Sequence, residues 1–207
     1  RKDLNITKVE ELRGRKVANQ TGSSIGNVFV DIIAPKAGLK KGDFQEVRMD
    51  VNNMAAALAA KTVDAFVGVE PYNEIAVAEG FGVSLMDFSS IDKMPVFMAA
   101  TPDFVQKNPD TVIAYLKAWQ EVARDFKDNP GKVSDLIYSY FSSKGFTMSR
   151  ETLAKALARV EVNPGFPSGL EPDLRRDAEV LLREKKIDAI PDWKKALRPD
   201  FWAKAAA

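Results

Sequence analysis

The stretch that most constrains this chain is Lys16–Ile33, KVANQTGSSIGNVFVDII. It reads as a short strand over Val17, Ala18 and Asn19, a polar turn over Gln20–Ser24, and then a helix. Ile25, Val28, Phe29, Ile32 and Ile33 recur at i, i+3, i+4, i+7 and i+8, so they line one buried helical face. Ser23 or Ser24 is suited to cap that helix, because a hydroxyl accepts from the orphan amides of a first turn. Gly22 lets the backbone turn sharply and approach a ligand. A strand–turn–helix of this kind offers its exposed amides to an anion. It is equally the form of an ordinary αβ connection with a serine cap, since the lysine of a P-loop is missing.

The rest of the first half repeats the alternation. Arg1–Lys8 reads as a connector, and Val9–Gly14 as one helical turn stopped by glycine. Strands are expected at Phe44–Met49, Val63–Val69, Val83–Asp87 and Val96–Ala100, and helices at Met54–Ala60 and from Pro71 to Gly80. Pro35 predicts a kink or an early end near Ala34. This order implies an α/β fold with a largely parallel sheet. After Thr101 the pattern becomes helical, with helices at Asp110–Asn129, Gly131–Lys144, Ser149–Val160 and Asp173–Lys185. Glu161–Pro172 is a proline-rich loop, and the tail from Ile187 predicts short helical turns. Tyr115, Trp119, Phe126, Tyr138, Tyr140 and Phe141 fall at helical spacing and read as core rather than as a ligand platform. Helices with apolar faces and almost no strand to cover make the second half lopsided.

Composition excludes several classes. The 207 residues carry 30 Lys and Arg against 29 Asp and Glu, a net charge of +1, which argues against a nucleic-acid binder or a membrane-surface protein. There is no cysteine and no histidine. Disulfides, thiolate chemistry, the usual zinc ligands and the commonest general base are therefore missing. No cofactor and no metal site is expected. No apolar run approaches the ~20 residues of a membrane span. Arg1–Lys8 is polar throughout and does not read as a signal peptide, which suits a cytoplasmic protein or a chain whose start has been removed.

The segments GRKVANQTGSS, AALAAKTVDAFVGVEPY and VFMAATPDFVQKNPDTVIAYLKAW, in this order and spacing, resemble one family. It is the periplasmic solute-binding proteins of ABC importers that take nitrate, sulfonates, taurine, bicarbonate or thiamin precursors. The resemblance runs motif by motif from Val9 to Phe104, and in helical pattern to the C-terminus. Lys61 departs from it, standing where the family usually has glycine. The family also begins with a strand–helix half of its first lobe that nothing here matches, so the chain reads as starting at the hinge.

The resemblance implies a two-lobe periplasmic-binding-protein fold of type II, with one α/β lobe complete and the other represented mainly by C-terminal helices. Residues 1–15 would be a connector, 16–95 lobe two, and 96–207 the return segment and helices of lobe one. It further implies a non-enzymatic, extracytoplasmic monomer that hands a small solute to a membrane permease and binds no nucleic acid. The solute would meet Gln20, Gly22, Ser23, Ser24, Asn27, Asn53 and Glu70 in a cleft between lobes. Each has a plainer reading: Gln20 and Asn27 as surface polars, Ser24 and Asn53 as caps, Glu70 as a carboxylate favoured at a helix N-terminus. The serine turn favours a sulfonate, carboxylate or similar oxyanion, and Glu70 an amine, a hydroxyl or a bridging cation; a zwitterion such as an aminosulfonate satisfies both.

Magnitudes require a second wall. A helix end contributes up to ~2 kcal/mol to an anion and a hydrogen bond to a charged group about 1.5–3 kcal/mol, against about 8 kcal/mol for micromolar binding. An opposite lobe must close over the solute, and residues 1–207 alone are expected to bind it poorly. Two alternatives stand behind this reading. One is the effector domain of a LysR-type regulator, which would begin with a core strand and form a dimer. The other is an enzyme of fungal thiamin-pyrimidine synthesis, whose chemistry needs a histidine and cysteines.

Overall fold

Three short parallel strands organise the first part of the chain in the order β2–β1–β3. They are β1 (Lys16–Asn19), β2 (Gln45–Arg48) and β3 (Ala65–Phe66). Val17 pairs with Glu46 and Ala65, and Asn19 with Arg48. The computed structural model describes the chain except residues 21–23, 92–94, 163–164, 167–168, 184 and 207, together with the side chain of Ser24. Contacts divide it into two units: Arg1–Met94 with Ser134–Val160, and Pro95–Val133 with Glu161–Ala207.

In the first unit the pleat sends alternate residues to opposite faces. Val17, Ala65 and Val67 face Val28, Phe29 and Ile33, with Phe44 edge-on to Phe29 at 5.5 Å. Ala18, Val47 and Phe66 face Met54, Leu58 and Ala76 on the other side. The helices are α1 (Ser24–Val28) and α2 (Ala34–Lys36), joined by a π-helical turn at Phe29–Ile33, then α3 (Val51–Ala59) and α4 (Tyr72–Ala78). The helix keeps to the expectation at Pro35: a π turn interrupts it just before the proline, and it ends at Lys36, ahead of Gly38. Proline lacks an N–H and its ring crowds the carbonyl four residues back. The wider π turn just before it relieves that crowding.

At the end of α3, Leu58 and Ala57 accept from the amides of Lys61 and Thr62. Lys61 adopts φ 61 there, a left-handed position that glycine usually fills in this helix stop. Thus the lysine that departs from the family pattern changes the cost of the turn and not its shape.

Three strand expectations are corrected. The apolar run Val63–Val69 forms a ladder only at Ala65–Phe66. Beyond it Asn73 Nδ2 donates to the Gly68 carbonyl and draws the chain toward α4. Val83–Asp87 and Val96–Ala100 lie in no ladder among the described residues, because no neighbouring backbone pairs with them. Val96 is 98% exposed.

Within Ser134–Val160, α8 (Arg150–Leu157) packs on α4, burying Thr152, Leu153 and Ala156. Ser149 caps it, its hydroxyl accepting from the Thr152 amide at 3.0 Å. The second unit is helical. It contains α5 (Pro102–Lys107) and the 20-residue α6 (Pro109–Asp128), and the start of α7 (Pro130–Ser143). After them come α9 (Leu170–Arg183), α10 (Trp193–Ala196) and α11 (Pro199–Ala206). Here α11 lies on α6, and Ala123, Leu170, Ala178, Phe201 and Ala205 are buried. Tyr115, Trp119 and Tyr140 are exposed, which corrects their assignment to a core. Among the described residues no helix is long and apolar enough to cross a membrane.

Candidate functional site

In a parallel α/β sheet the loops that leave the carboxyl ends of the strands are where ligands bind. The candidate residues follow that rule. Gln20 directly follows β1, Asn53 stands in the first turn of α3 after β2, and Glu70 leads from β3 into α4. Gln20 and Asn27 are half-buried, and Asn53 is exposed. Asp50, not Asn53, takes the cap position of α3, and the Asn53 amide donates to its carbonyl at 3.0 Å. Gly22, Ser23 and the side chain of Ser24 lie outside the described residues.

Glu70 is engaged on both oxygens. Its Oε2 accepts the Glu74 amide at 3.1 Å, which satisfies a first-turn donor of α4. Its Oε1 accepts from Arg159 Nη1 at 3.3 Å. Arg159 Nη2 lies 3.6 Å from Glu74 Oε2. The Glu74 side chain is only 6% exposed, and that of Arg159 is 45% exposed. A carboxylate so buried needs a partner, and Arg159 supplies it from just beyond the end of α8. Gly68 shapes the loop before Glu70: a Cβ there would stand 2.5 Å from the Phe66 ring and 2.6 Å from Asn73 Oδ1.

Glu70, Asn73, Asp87 and Arg159 share the wall of a cavity of about 460 Å³ in the first unit. Most of the remaining wall is apolar, with Phe29, Phe66 and Leu85 among its residues. Gln20, Asn27 and Asn53 do not line it. Asp87 ionises more readily than an ordinary aspartate, held down first by the Ser89 hydroxyl and then by the Ser89 amide, with Arg159 adding to both. Among the described residues no cluster of three His, Cys, Asp or Glu could hold a metal ion.

Three residues here were missed in the sequence. Arg159 is 89 positions from Glu70, and nothing in a helical pattern announces that pair. Arg48 ends β2 in register with Asn19 and stands exposed at the same end of the sheet as Gln20. Asn19 is 1% exposed and follows the buried Val17 and Ala18 in β1. A polar residue in a buried strand was the one visible signal.

Known proteins share the fold of this chain. A protein of Escherichia coli (strain K12) named for binding aliphatic sulfonates is 30% identical over 116 residues, covering 56% of this chain and 36% of that protein. The 4-amino-5-hydroxymethyl-2-methylpyrimidine phosphate synthase of Schizosaccharomyces pombe is 20% identical over 171 residues, 76% of this chain and 49% of the enzyme. The crystal structure of the periplasmic aliphatic sulphonate binding protein SsuA from Escherichia coli superposes with a TM-score of 0.77 at 22% identity, over 94% of this chain and 62% of that one. This chain thus spans less than two thirds of each, and the superposition shows the α/β periplasmic-binding-protein fold. The profile of the NMT1-like family matches residues 6–137, and the chain belongs to the NMT1-like family.

Proposed function

We propose that this chain is part of the extracytoplasmic solute-binding component of an ABC importer, and that its solute is a small anionic or zwitterionic organic molecule of the sulfonate class. The observation that carries the reading is the convergence of Gln20, Asn53 and Glu70 on the carboxyl ends of three parallel strands. Relatives named for aliphatic sulfonates support the class of solute. In this reading residues 16–95 belong to one lobe and supply one wall of the site through Gln20, Gly22, Ser23, Ser24, Asn27 and Asn53. Glu70 serves that wall by holding Arg159. The protein works as a monomer, passes its solute to a membrane permease and catalyses nothing. The last point is supported by relatives named as binding proteins.

The test is calorimetric titration of the protein from its full reading frame with ethanesulfonate, taurine, nitrate, bicarbonate and an aminopyrimidine. Micromolar affinity for a sulfonate, stronger than for the other four probes, is expected. Absence of binding to both sulfonates overturns the reading, and formation of an aminopyrimidine phosphate by the protein would favour an enzyme.

A further inference from the structure

We infer that Asn19 is the positioning residue of the candidate site, acting through its contact with Gly26 on the first helix. Asn19 closes β1 after Val17 and Ala18, and all three are buried. An apolar residue is what such a strand position ordinarily holds. Instead the asparagine donates from Nδ2 to Glu46 Oε1 at 3.0 Å, and to the Gly26 carbonyl at 3.4 Å. Its Oδ1 is buried and accepts no hydrogen bond among the described residues. Both Nδ2 partners are acceptors, so turning the amide over would cost both bonds. A buried acceptor left unmet calls for an explanation, and local rules of this sort are broken chiefly where function needs it.

Gly26 supplies that explanation. A Cβ on it would stand 2.6 Å from Asn19 Oδ1 and 2.6 Å from the Gln20 carbonyl oxygen. The helix therefore lies with its backbone directly against the end of β1, closer than any other residue type allows. The side chain of Asn19 fills the seam, tying β1 to Glu46 on β2 and to the helix at once. This seam fixes where Gln20 leaves the strand and where Asn27 emerges from the helix. Asn19 touches no solute; it sets the positions of the residues that do.

The inference rests on the solute-binding reading for its ligand arm, so the test has an arm that needs no solute. Asn19→Leu, close in shape to asparagine, and Gly26→Ala are compared with wild type and with Gly131→Ala, where a Cβ meets nothing within 4 Å. All are made in the protein from its full reading frame. Hydrogen exchange by mass spectrometry is expected to speed up at least ~10-fold in peptides covering residues 17–33, in both test variants. Peptides covering α3, α4 and α8 should not change. Unchanged exchange in Gly26→Ala, or an acceleration spread evenly over the first unit, overturns the inference even where Asn19→Leu fails to fold.

Calorimetry with ethanesulfonate is the second arm. Binding at least ~10-fold weaker in both test variants, and unchanged in Gly131→Ala, is expected; wild-type affinity in Gly26→Ala overturns the positioning role. A wild-type protein that binds no sulfonate instead overturns the functional reading, and hydrogen exchange then decides the role of Asn19 alone.

Discussion

Arg159 donates from Nη1 to Glu70 Oε1 at 3.3 Å while its Nη2 faces Glu74 Oε2 at 3.6 Å, so one guanidinium ties the end of α8 to the start of α4. Arg159→Ala takes from the buried Glu74 carboxylate the cation in contact with it, leaving only the more distant Lys155. Half-exposure of the arginine moderates the cost, which should fall at about 1–3 kcal/mol. Urea unfolding measures it. Glu74→Gln in the Arg159→Ala background is expected to recover part of the loss, because the two residues share one interaction. Full additivity of the two substitutions would contradict the pairing.

Glu70 and Gln20 should behave differently toward a solute. With both Glu70 oxygens engaged inside the protein, Glu70→Gln is expected to lower stability while leaving the ratio of taurine to ethanesulfonate affinity unchanged. Gln20→Ala should instead weaken both sulfonates by roughly 10- to 100-fold, the loss of one hydrogen bond to a charged group. Calorimetry on the two variants separates these outcomes.

Lys61 pays for a left-handed backbone that glycine adopts without strain, a difference of about 1 kcal/mol. Lys61→Gly also gives up an exposed ion pair with Asp3 at 3.1 Å, and such pairs contribute between 0 and ~1 kcal/mol. A net stabilisation of about 0.5 kcal/mol is expected in urea at moderate salt, and more at high salt, where the ion pair is screened.

Asp87 carries a pH signature. Its folded-state pKa lies below the ordinary value, so its contribution is complete above the ordinary aspartate range near ~3.9 and is lost as pH falls through the folded value. Asp87→Asn should therefore destabilise the protein at pH 6 and flatten the fall in stability as pH drops below ~4. Parallel urea titrations of variant and wild type check this. Equal acid sensitivity would show that the Ser89 contacts do not persist in solution.

Much of the first unit was legible because a strand buried on both faces and a one-faced helix leave different periods in the sequence. Lys16–Asn19, the helix after it, and the alanine-rich α3 were all read from those periods. Val83–Asp87 and Val96–Ala100 have the composition of strands, yet a strand exists only where another backbone pairs with it. Tyr115 and Trp119 follow a helical period, but period marks a common face and says nothing of what covers it.

The candidate site divides along the same line. Gln20, Asn53 and Glu70 were implied by the family resemblance; Gln20 directly follows β1, and the other two lie on the connections after β2 and β3. Sequence by itself thus determined most of the helices, the positions of the three paired strands and the parallel α/β class. Only tertiary structure decided that Arg159 bridges Glu70 and Glu74, and that Gly26 lies against Asn19. Those facts depend on side chains brought within ångströms across 89 and 7 residues of chain, and burial then sets their weight. A buried carboxylate requires its arginine, and a buried amide with an unmet acceptor requires a reason; neither demand exists until packing removes the water.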